Sequence, residues 1–441
     1  MKKVKVFCAG LIVLVALALS IPASAAFMAG AAAADITPDL SAMKVPSSGY
    51  GDRGPKPMEG VHDPIMCKAL VVSDGANKAA IVTCDMVGIS PDLRAKVLAA
   101  VQGTGIDDHN LLMAASHTHS GPGAMLNNGI AGVVFGKYND KLTQQTADRI
   151  GAAVKQADAS MRPAVLKVGT ASAPDATRNR RDPAGSYNYD TRRFSSAYEP
   201  NNPRNSIDPA VTVVEAVGED GKPIAVLVSF ATHGTVLGPD NMQLSADWPG
   251  AMQKKIEAAL PGAVALYMNG AEGDQAPAMD QDDHTDFEYL DIIGVKVADA
   301  ALAALDNAAT VAAAPVTAVM ERRAMPPGKV VMGYHVPSAL IKHYFPELPL
   351  QAVRVGDVVF MAAPLEMVTA IGQTLKSGAR GQGARYPIVA GLANDTLLYC
   401  ATPEDFPKGG YEVGNTIFGE IEAGVVIGEQ MLLVRKLMAS E

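Results

Sequence analysis

Short runs of β-branched and aliphatic residues alternate with alanine-, leucine- and lysine-rich segments of helical period along most of this chain. Apolar runs of about four to eight residues are typical of buried strands, and longer periodic segments are typical of amphipathic helices. Alternation of the two indicates an α/β fold, in which helices cover a sheet. We therefore predict an α/β protein with a mixed β-sheet core, flanking helices and an active site at the carboxyl ends of the strands.

The apolar runs predict individual strands and two hairpins. Residues 68–73 and 79–84 flank an Asp-Gly-Ala-Asn turn, and residues 212–217 and 224–230 flank a Gly-Glu-Asp-Gly turn. Further strands are predicted at 111–115, 164–168, 264–268, 358–362 and 388–390, and helices at 91–102, 141–157, 290–305 and 366–376. Residues 424–438 fit either a helix or a strand.

Composition limits the classes of function and the number of domains. The chain has 441 residues, of which 48% are hydrophobic, so it can bury a sizeable core. Its formal net charge of -9 provides no basic field for a phosphate backbone, which excludes nucleic acid as a partner. The apolar residues 308–314 are too short for an interdomain linker, so we predict one domain over residues 27–441. No obligate protein partner is indicated.

The polar segment 174–209 is rich in arginine, asparagine, tyrosine and proline. A connection of this length inside a compact domain is usually functional or mobile. We therefore predict a long loop that forms one wall of the active site.

The first 26 residues have the organisation of a secretory signal peptide. Three lysines lie within the first five residues, an apolar run follows at 6–21, and Pro-Ala-Ser-Ala-Ala ends the segment. The apolar run is short for a bilayer span, and the Ala-x-Ala pattern is typical of a cleavage site. We therefore predict that residues 1–26 are removed and that the mature protein is secreted or periplasmic.

Three cysteines follow this segment, at positions 67, 84 and 400. In an oxidising compartment an odd number leaves at least one thiol free and permits at most one internal disulfide. Cys67 and Cys84 lie in neighbouring apolar runs, so we interpret them as small buried side chains without chemistry.

The most informative segment joins an apolar run to two histidines. Residues 111–123 read Leu-Leu-Met-Ala-Ala-Ser-His-Thr-His-Ser-Gly-Pro-Gly, with histidines at positions 117 and 119. In extended backbone, residues two apart face the same side, so both imidazoles are predicted to point into one cleft. Neutral imidazoles are common zinc ligands, although two polar residues at a strand end would give the same pattern.

A second apolar run leads to His233, so three of the eight histidines follow strand ends. Taken alone, His233 is better explained as a core histidine with satisfied hydrogen bonds. If the metal is a catalytic zinc with a position open for water, a carboxylate is expected as the next ligand. Glu366, at the predicted start of a helix, and Asp85, directly after an earlier strand, are alternative carboxylate ligands, and spacing does not choose between them.

Together these residues resemble those of the neutral, alkaline, non-lysosomal ceramidases. The specific element is Ser-His-Thr-His-Ser-Gly-Pro-Gly at 116–123. Supporting stretches follow in the order of the family: Ala-Asp-Ile-Thr-Pro at 34–38, Gly-Tyr at 49–50, His-Asp-Pro at 62–64, Asn-Gly-Ala-Glu-Gly-Asp at 269–274 and Ala-Thr-Pro-Glu-Asp at 401–405. The resemblance extends over essentially the whole predicted mature chain.

The resemblance implies an exported zinc-dependent amidohydrolase that cleaves the N-acyl amide bond of ceramide or a similar N-acyl lipid by metal-activated water. The zinc ligands that it implies are His117, His233, Glu366 and Tyr399. It places His119 beside the reacting carbonyl and puts Tyr411 and Arg180 in the active site, as candidate donors to the oxyanion or to the leaving amine. The implied partner is a small amphiphilic amide, with transient contact to a membrane surface.

Two departures from the family affect the expected mechanism and substrate. The family typically reads Gly-Asp-x-Ser-Pro-Asn where this chain reads Gly-Asp-Gln-Ala-Pro-Ala at 273–278, so a serine nucleophile at Ala276 is excluded. The chain also ends near the end of the family's catalytic domain, so we expect that domain without a C-terminal β-sandwich. The alternative functions are zinc-dependent cleavage of another amide or ester, or an exported binding protein without turnover.

Overall fold

The structure is a computed structural model of the chain. It describes residues 26–127, 129–181, 186–196, 206–325, 327–328, 330–331 and 334–439. The predicted signal peptide, except for Ala26, lies outside the described residues.

The larger of two main β-sheets has nine strands. In chain order they are β1 (Met28–Asp35), β2 (Met66–Ser73), β3 (Lys78–Cys84), β4 (Leu111–Ala115), β5 (Arg162–Ser172), β6 (Ala210–Gly218), β7 (Pro223–Phe230), β8 (Val264–Asn269) and β9 (Ala309–Val311). Their order across the sheet is β8, β7, β6, β5, β1, β2, β3, β4, with β9 beside β5. The pairs β7/β8 and β3/β4 are parallel and the others are antiparallel, so the sheet is mixed.

The smaller sheet contains four strands in sequential order. They are β10 (Val316–Ala324), β11 (Glu347–Val355), β12 (Val358–Ala362) and β13 (Tyr386–Ala390). Only β12 and β13 run parallel among these pairs. Short ribbons pair Gly60–Val61 with Gln243–Leu244, Thr177–Asn179 with Gln275–Pro277, Tyr187–Asn188 with Arg193–Phe194, Val330–Val331 with Tyr334–His335, and Glu366–Met367 with Tyr399–Cys400.

The described residues form nine α-helices and a 3₁₀ helix, and side chains cap the beginnings of several of them. They are α1 (Pro91–Ala100), α2 (Gly129–Phe135), α3 (Asp140–Ala159), α4 (Asp247–Ala259), α5 (Asp286–Asp306), α6 (Ser338–Tyr344), α7 (Thr369–Gly381), α8 (Tyr411–Gly414), α9 (Glu422–Met438) and a 3₁₀ helix, Pro403–Lys408. Ser90 and Asn139 cap α1 and α3 by accepting backbone N–H groups, and Thr285 forms a capping box with Glu288. Among the described residues, none of these helices combines the length and apolar character needed to cross a bilayer.

The two main sheets pack face to face between layers of helices. Alternate residues of a strand point to opposite faces, so Leu112, Leu227 and Phe360 lie in one core between the sheets. On the outer face of the larger sheet, α1 and α3 cover β1–β4, and α4 and α5 cover β5–β8. Helices α7 and α9 cover the smaller sheet. This four-layer arrangement confirms the predicted α/β class with a mixed sheet and flanking helices.

The strand predictions are confirmed, including both hairpins. Apolar runs predict strands well here because most of the predicted strands are buried on both faces, by helices on one side and by the other sheet on the other. The ambiguous tail is helix α9, which packs against β11 and α7.

The interpretation of Cys67 and Cys84 as unlinked side chains is wrong. The antiparallel register of β2 and β3 places Cys67 directly opposite Cys84, and the two form a disulfide. Cys400 is a buried free thiol. Two neighbouring apolar runs do not reveal their register, and it is the register that brings the sulfur atoms together.

Glu422 begins α9 with a fully buried carboxyl group, and this burial raises its pKa to about 8. One oxygen accepts the backbone N–H of Phe418, and the other has no hydrogen-bond partner among the described residues. An unfolded glutamate has a pKa near 4.5, so between pH 4.5 and about 8 unfolding releases a proton. Stability should therefore fall as the pH rises through this range.

We expect Glu422→Gln, which mimics the protonated acid, to remove this pH dependence. At pH 8 it should raise the free energy of unfolding by on the order of 3 kcal/mol, and at pH 5 by much less. Denaturant unfolding of both proteins at the two pH values measures the difference. The same pH dependence in both would contradict the prediction.

Candidate metal centre

Four segments that leave the carboxyl ends of parallel strands meet at one edge of the two sheets. His117 follows β4, His233 follows β7, Glu366 follows β12 and Tyr399 follows β13. These strands belong to the parallel pairs β3/β4, β7/β8 and β12/β13. The sequence predicted a site at such an edge, because open α/β sheets bind ligands outside the carboxyl ends of their strands.

His117, His233 and Glu366 bring three buried ligand atoms together. Oε2 of Glu366 lies 3.2 Å from Nε2 of His117 and 3.2 Å from Nε2 of His233. The candidate ligand atoms of the three residues all lie within 4.8 Å of one another. The alternative carboxylate, Asp85, is outside this group and instead accepts hydrogen bonds from the backbone of Met66 and the side chain of Gln253.

Backbone carbonyls orient both imidazoles. Nδ1 of His117 lies 2.6 Å from the carbonyl oxygen of Val87, and Nδ1 of His233 lies 2.9 and 3.0 Å from those of Glu272 and Gln275. A carbonyl only accepts, so the proton is on Nδ1 and the lone pair of Nε2 faces the cluster. Metal-binding histidines are typically held by such outer partners.

These donor atoms fit a small divalent cation. Oε2 of Glu366 is buried and has no hydrogen-bond partner among the described residues, although two imidazole lone pairs face it. Tetrahedral ligands at about 2.0–2.1 Å from a zinc ion are roughly 3.3 Å apart, close to the 3.2 Å separations of the cluster. Two imidazoles and a carboxylate form a donor set of catalytic zinc sites.

Burial and neighbouring charges set protonation states suited to metal binding. Burial, reinforced by Arg180, lowers the pKa of His233 to about 4. Burial, reinforced by the other two imidazoles, also lowers the pKa of His119 well below its usual value. Burial would raise the pKa of Glu366, but His117 and His233 outweigh it and hold that pKa well below its usual value. At neutral pH, His119 and His233 are therefore neutral and Glu366 is ionised.

Tyr399 completes the cluster on the side of His233. Its hydroxyl lies 3.1 Å from Nε2 of His233 and accepts a hydrogen bond of 3.0 Å from Nη2 of Arg180. Burial raises the pKa of Tyr399 well above its usual value. All four side chains that the family resemblance assigned to a metal therefore converge in this structure.

The prediction that Glu366 begins a helix is wrong. Glu366–Met367 is a short strand parallel to Tyr399–Cys400, and α7 begins at Thr369. The backbone N–H of Glu366 donates to the carbonyl of Leu398. This ribbon places Glu366 and Tyr399 side by side, so both side chains reach the imidazoles.

The expected extended backbone at the two histidines is also wrong. Strand β4 ends at Ala115, and His117 has a φ of 66°, in the left-handed region. The backbone N–H of His119 donates to the carbonyl of Gly234. The two Nε2 atoms still approach to 3.2 Å. A left-handed non-glycine residue persists only where surrounding contacts impose it, as they often do at functional sites.

A glycine makes room for the ring of His119. Gly49 has a φ of 99°, and a Cβ at this position would lie 2.4 Å from Cγ of His119. The next residue, Tyr50, packs edge-on against the same imidazole at 4.6 Å between centroids. The segment 49–50 therefore fixes the position of His119.

We expect Gly49→Ala to displace the imidazole of His119 and to lower kcat on the order of 100-fold, the cost of a catalytic group misplaced by about an ångström. Metal content should stay unchanged, because the three atoms nearest to the added methyl group all belong to His119. Gly54→Ala is the matched control, since Gly54 also has a positive φ of 62° but no neighbour within 4 Å. Steady-state kinetics and metal analysis of both variants provide the test, and equal activity would refute it.

Arg180 lies buried between aromatic rings and a carboxylate. Its guanidinium lies 5.6 Å from the ring centroid of Tyr399 and 5.7 Å from that of Tyr411. It donates to the carbonyl of Gly273 at 2.8 Å and to Oε1 of Glu412 at 2.7 Å. Tyr411 is 53% exposed. Arg180, His119 and Tyr411 thus surround the cluster, with Arg180 in the described part of the predicted loop wall.

Sequence reasoning missed Glu412. Its carboxylate is fully buried and binds Arg180 through one oxygen and Arg181 through the other. Burial would raise its pKa, but the two arginines outweigh it and lower that pKa. The only signal in the sequence is its position next to Tyr411, since nothing indicates that two arginines lie opposite.

An apolar pocket opens beside the cluster. It encloses about 140 Å³ and is bordered on its polar side by His117, His119, Glu366 and Tyr399. The apolar side is formed by Val87, Leu126, Ala131, Val134, Phe135 and Phe345. A few polar groups at one end of a mostly apolar pocket suit an amphiphilic small molecule.

Comparison with known proteins supports this arrangement. A profile described as "Neutral/alkaline non-lysosomal ceramidase, N-terminal" matches residues 27–288 and 321–427. The chain is 24% identical to the neutral ceramidase of Pseudomonas aeruginosa, over 94% of this chain and 73% of that protein. It is 24% identical to neutral ceramidase A of Dictyostelium discoideum, over 82% of this chain and 66% of that protein.

Solved structures show the same fold. The crystal structure of the neutral ceramidase from Pseudomonas aeruginosa matches with a TM-score of 0.83 at 20% identity, over 94% of this chain and 75% of that chain. A ceramidase complexed with C2 matches with a TM-score of 0.80 at 20% identity, over the same shares. The chain therefore spans about two thirds to three quarters of the length of these relatives.

Proposed function

Since the chain belongs to the neutral/alkaline non-lysosomal ceramidase family, we propose that it is a zinc-dependent hydrolase that cleaves the N-acyl amide bond of ceramide or a similar N-acyl lipid. One observation carries the proposal: a buried carboxylate oxygen without a hydrogen-bond partner faces two imidazole lone pairs beside an apolar pocket. The metal ligands that we propose are His117, His233, Glu366 and Tyr399.

When bound, a zinc ion would supply a water molecule with a pKa lowered toward ~7 and a positive charge that polarises the amide oxygen. The chain's own residues then handle protons and position. His119 is neutral at neutral pH, so its imidazole can take a proton from the nucleophile and return it to the leaving amine nitrogen. Tyr411 lines the pocket and can donate its hydroxyl proton as a hydrogen bond to the amide oxygen as negative charge develops there.

Arg180 contacts two of the proposed ligands. Its guanidinium donates to Glu412, the carbonyl of Gly273 and the hydroxyl of Tyr399, and its Nη1 lies 3.4 Å from Nε2 of His233. Its positive charge also stabilises negative charge that develops on nearby groups during the reaction. No serine competes as a nucleophile at Ala276, which is fully buried.

The surroundings of the pocket support a lipid substrate that is taken from a membrane surface. Val133 of α2 is 76% exposed and Leu340 of α6 is 41% exposed. Residues of α2 and Phe345, directly after α6, border the pocket. We therefore propose transient contact of this rim with a membrane surface.

We also propose export to the periplasm or the cell exterior. The signal-peptide pattern of residues 1–26 is one support. The disulfide between Cys67 and Cys84 is a second, because structural disulfides persist in oxidising compartments. Cell fractionation with N-terminal sequencing tests the proposal, which an uncleaved cytosolic protein would refute.

The function is tested by metal analysis of the purified protein together with hydrolysis assays. We expect one zinc ion per chain, release of fatty acid from ceramide, loss of activity with a chelator and its return with zinc. A panel of N-acyl amino acids and esters examines the alternative substrates. Zinc-dependent cleavage of these compounds without cleavage of ceramide would refute the lipid substrate, and a metal-free, inactive protein would refute the hydrolase.

A further inference from the structure

We propose that helix α2 sets the length of the alkyl chain that the pocket accepts, with Phe135 as the wall at which the chain ends. This inference rests on the proposed function, because it concerns the apolar part of the same substrate. It assigns to α2 a role in specificity and leaves the hydrolytic step to the residues around the metal centre.

A second, much smaller cavity lies directly behind the pocket. The two cavities share Val87, Leu126, Ala131 and Phe135 as lining residues. The inner cavity encloses only about 10 Å³, about the minimum for a single water molecule. The shared side chains therefore form a partition between an open pocket and a space that is nearly filled.

The chemistry of the partition fits the end of a hydrocarbon chain. The side chains that form it are apolar, and the same pocket is also lined by the imidazoles of His117 and His119 and the carboxylate of Glu366. An alkyl chain attached to an amide at the metal centre would remain in contact with apolar side chains until it reached Phe135. On the same scale, the 140 Å³ of the pocket correspond to on the order of ten water-sized volumes, so a chain of several methylenes fits before the wall.

A different route leads from the pocket past Phe345. A cavity of about 270 Å³ lies behind this ring, but it shares only Phe345 with the pocket and is also lined by Lys342 and Ser338. The inner cavity shares four apolar residues with the pocket, so we place the end of the alkyl chain at this partition.

Two substitutions should change the preferred chain length in opposite directions. Phe135→Ala joins the inner cavity to the pocket and should lengthen the preferred chain. Ala131→Leu adds side-chain volume at the partition and should shorten it. Leu432→Ala is the control, because Leu432 of α9 is 44% exposed and lines neither cavity. Phe345→Ala tests the other route.

The readout is kcat/KM over two series of N-acyl amides, one with increasing acyl length and one with increasing length on the amine side. Each methylene that enters the pocket should raise kcat/KM about fourfold until the chain reaches the wall, and further methylenes should give no gain. In Phe135→Ala the increase should continue for at least two more methylenes, in one of the two series. In Ala131→Leu it should stop earlier.

The shortest substrates separate this inference from the proposed function. They do not reach Phe135, so every variant that retains the metal should still cleave them, whatever its preferred chain length. An optimum that stays unchanged in both series, or that moves only in Phe345→Ala, would overturn the assignment of α2. No cleavage of any substrate by the wild type would refute the proposed function itself. If Phe135→Ala does not fold, the opposite shift in Ala131→Leu still decides the matter.

Discussion

Replacing His117 or His233 with alanine is expected to abolish metal retention and hydrolysis together. Each variant removes one of the two imidazoles that face Oε2 of Glu366 and leaves a single imidazole facing that buried carboxylate. Loss of an outer partner typically lowers metal affinity roughly 10–100-fold, and loss of a direct ligand should lower it further. Metal content by elemental analysis and initial rates with the same preparations measure both effects.

Two further variants make this prediction specific. His284→Ala removes a histidine whose side chain is 52% exposed and pairs only with Asp282, so its metal content and activity should equal those of the wild type. Tyr411→Phe should keep the metal and lower turnover, because Tyr411 lines the pocket but is not one of the four proposed ligands. Equal metal content in the His117, His233 and Tyr411 variants would count against the assigned ligands.

Glu412→Gln is expected to destabilise the fold and to lower turnover. The neutral amide cannot balance Arg180 and Arg181, and removal of one partner from a buried ion pair costs roughly 3–5 kcal/mol. The amide keeps one acceptor oxygen where the carboxylate has two, so either Arg180 or Arg181 must face an NH₂ group. Arg180 is then held less firmly, and its hydrogen bond to Tyr399 should weaken. Denaturant unfolding measures the loss of stability, and kcat well below the unfolding temperature measures the effect on the site.

Asp280→Asn is the matched control for this charge removal. Asp280 pairs with Arg178, two residues before Arg180, but its side chain is 53% exposed. An exposed pair contributes roughly 0–1 kcal/mol, so this variant should remain near wild type in stability and turnover. If Glu412→Gln behaved like Asp280→Asn in both measurements, Glu412 would have no role in positioning Arg180.

The local elements of the fold were predictable because burial leaves a local pattern. Strands such as Leu111–Ala115 and Val358–Ala362 are buried on both faces and read as continuous apolar runs. The order of strands and the stacking of two sheets were not predictable from these runs. Pairings such as that of β1 with β5 join residues far apart in sequence, and no local pattern records them.

The candidate site also has residues that the sequence identified and residues that it did not. His117, His119 and His233 were identified from their positions after apolar strands, and Glu366 was one of two alternatives. Tyr399, Tyr411 and Arg180 were selected only through the family resemblance. Cys67 and Cys84 were misinterpreted and Glu412 was missed, because cross-strand register and a buried ion pair exist only after distant segments have met.

By itself, therefore, the sequence determined which segments become strands and helices, and which side chains have the chemistry to bind a metal. The spacing of apolar residues and the kind of ligand atom that a side chain carries depend only on single residues and their near neighbours. The sequence therefore shows both without knowledge of the fold. Only the tertiary structure decided that Glu366, and not Asp85, joins the two imidazoles, and that residues of α2 line the pocket beside them. Those outcomes depend on distances between strand ends, which are set when the two sheets pack together.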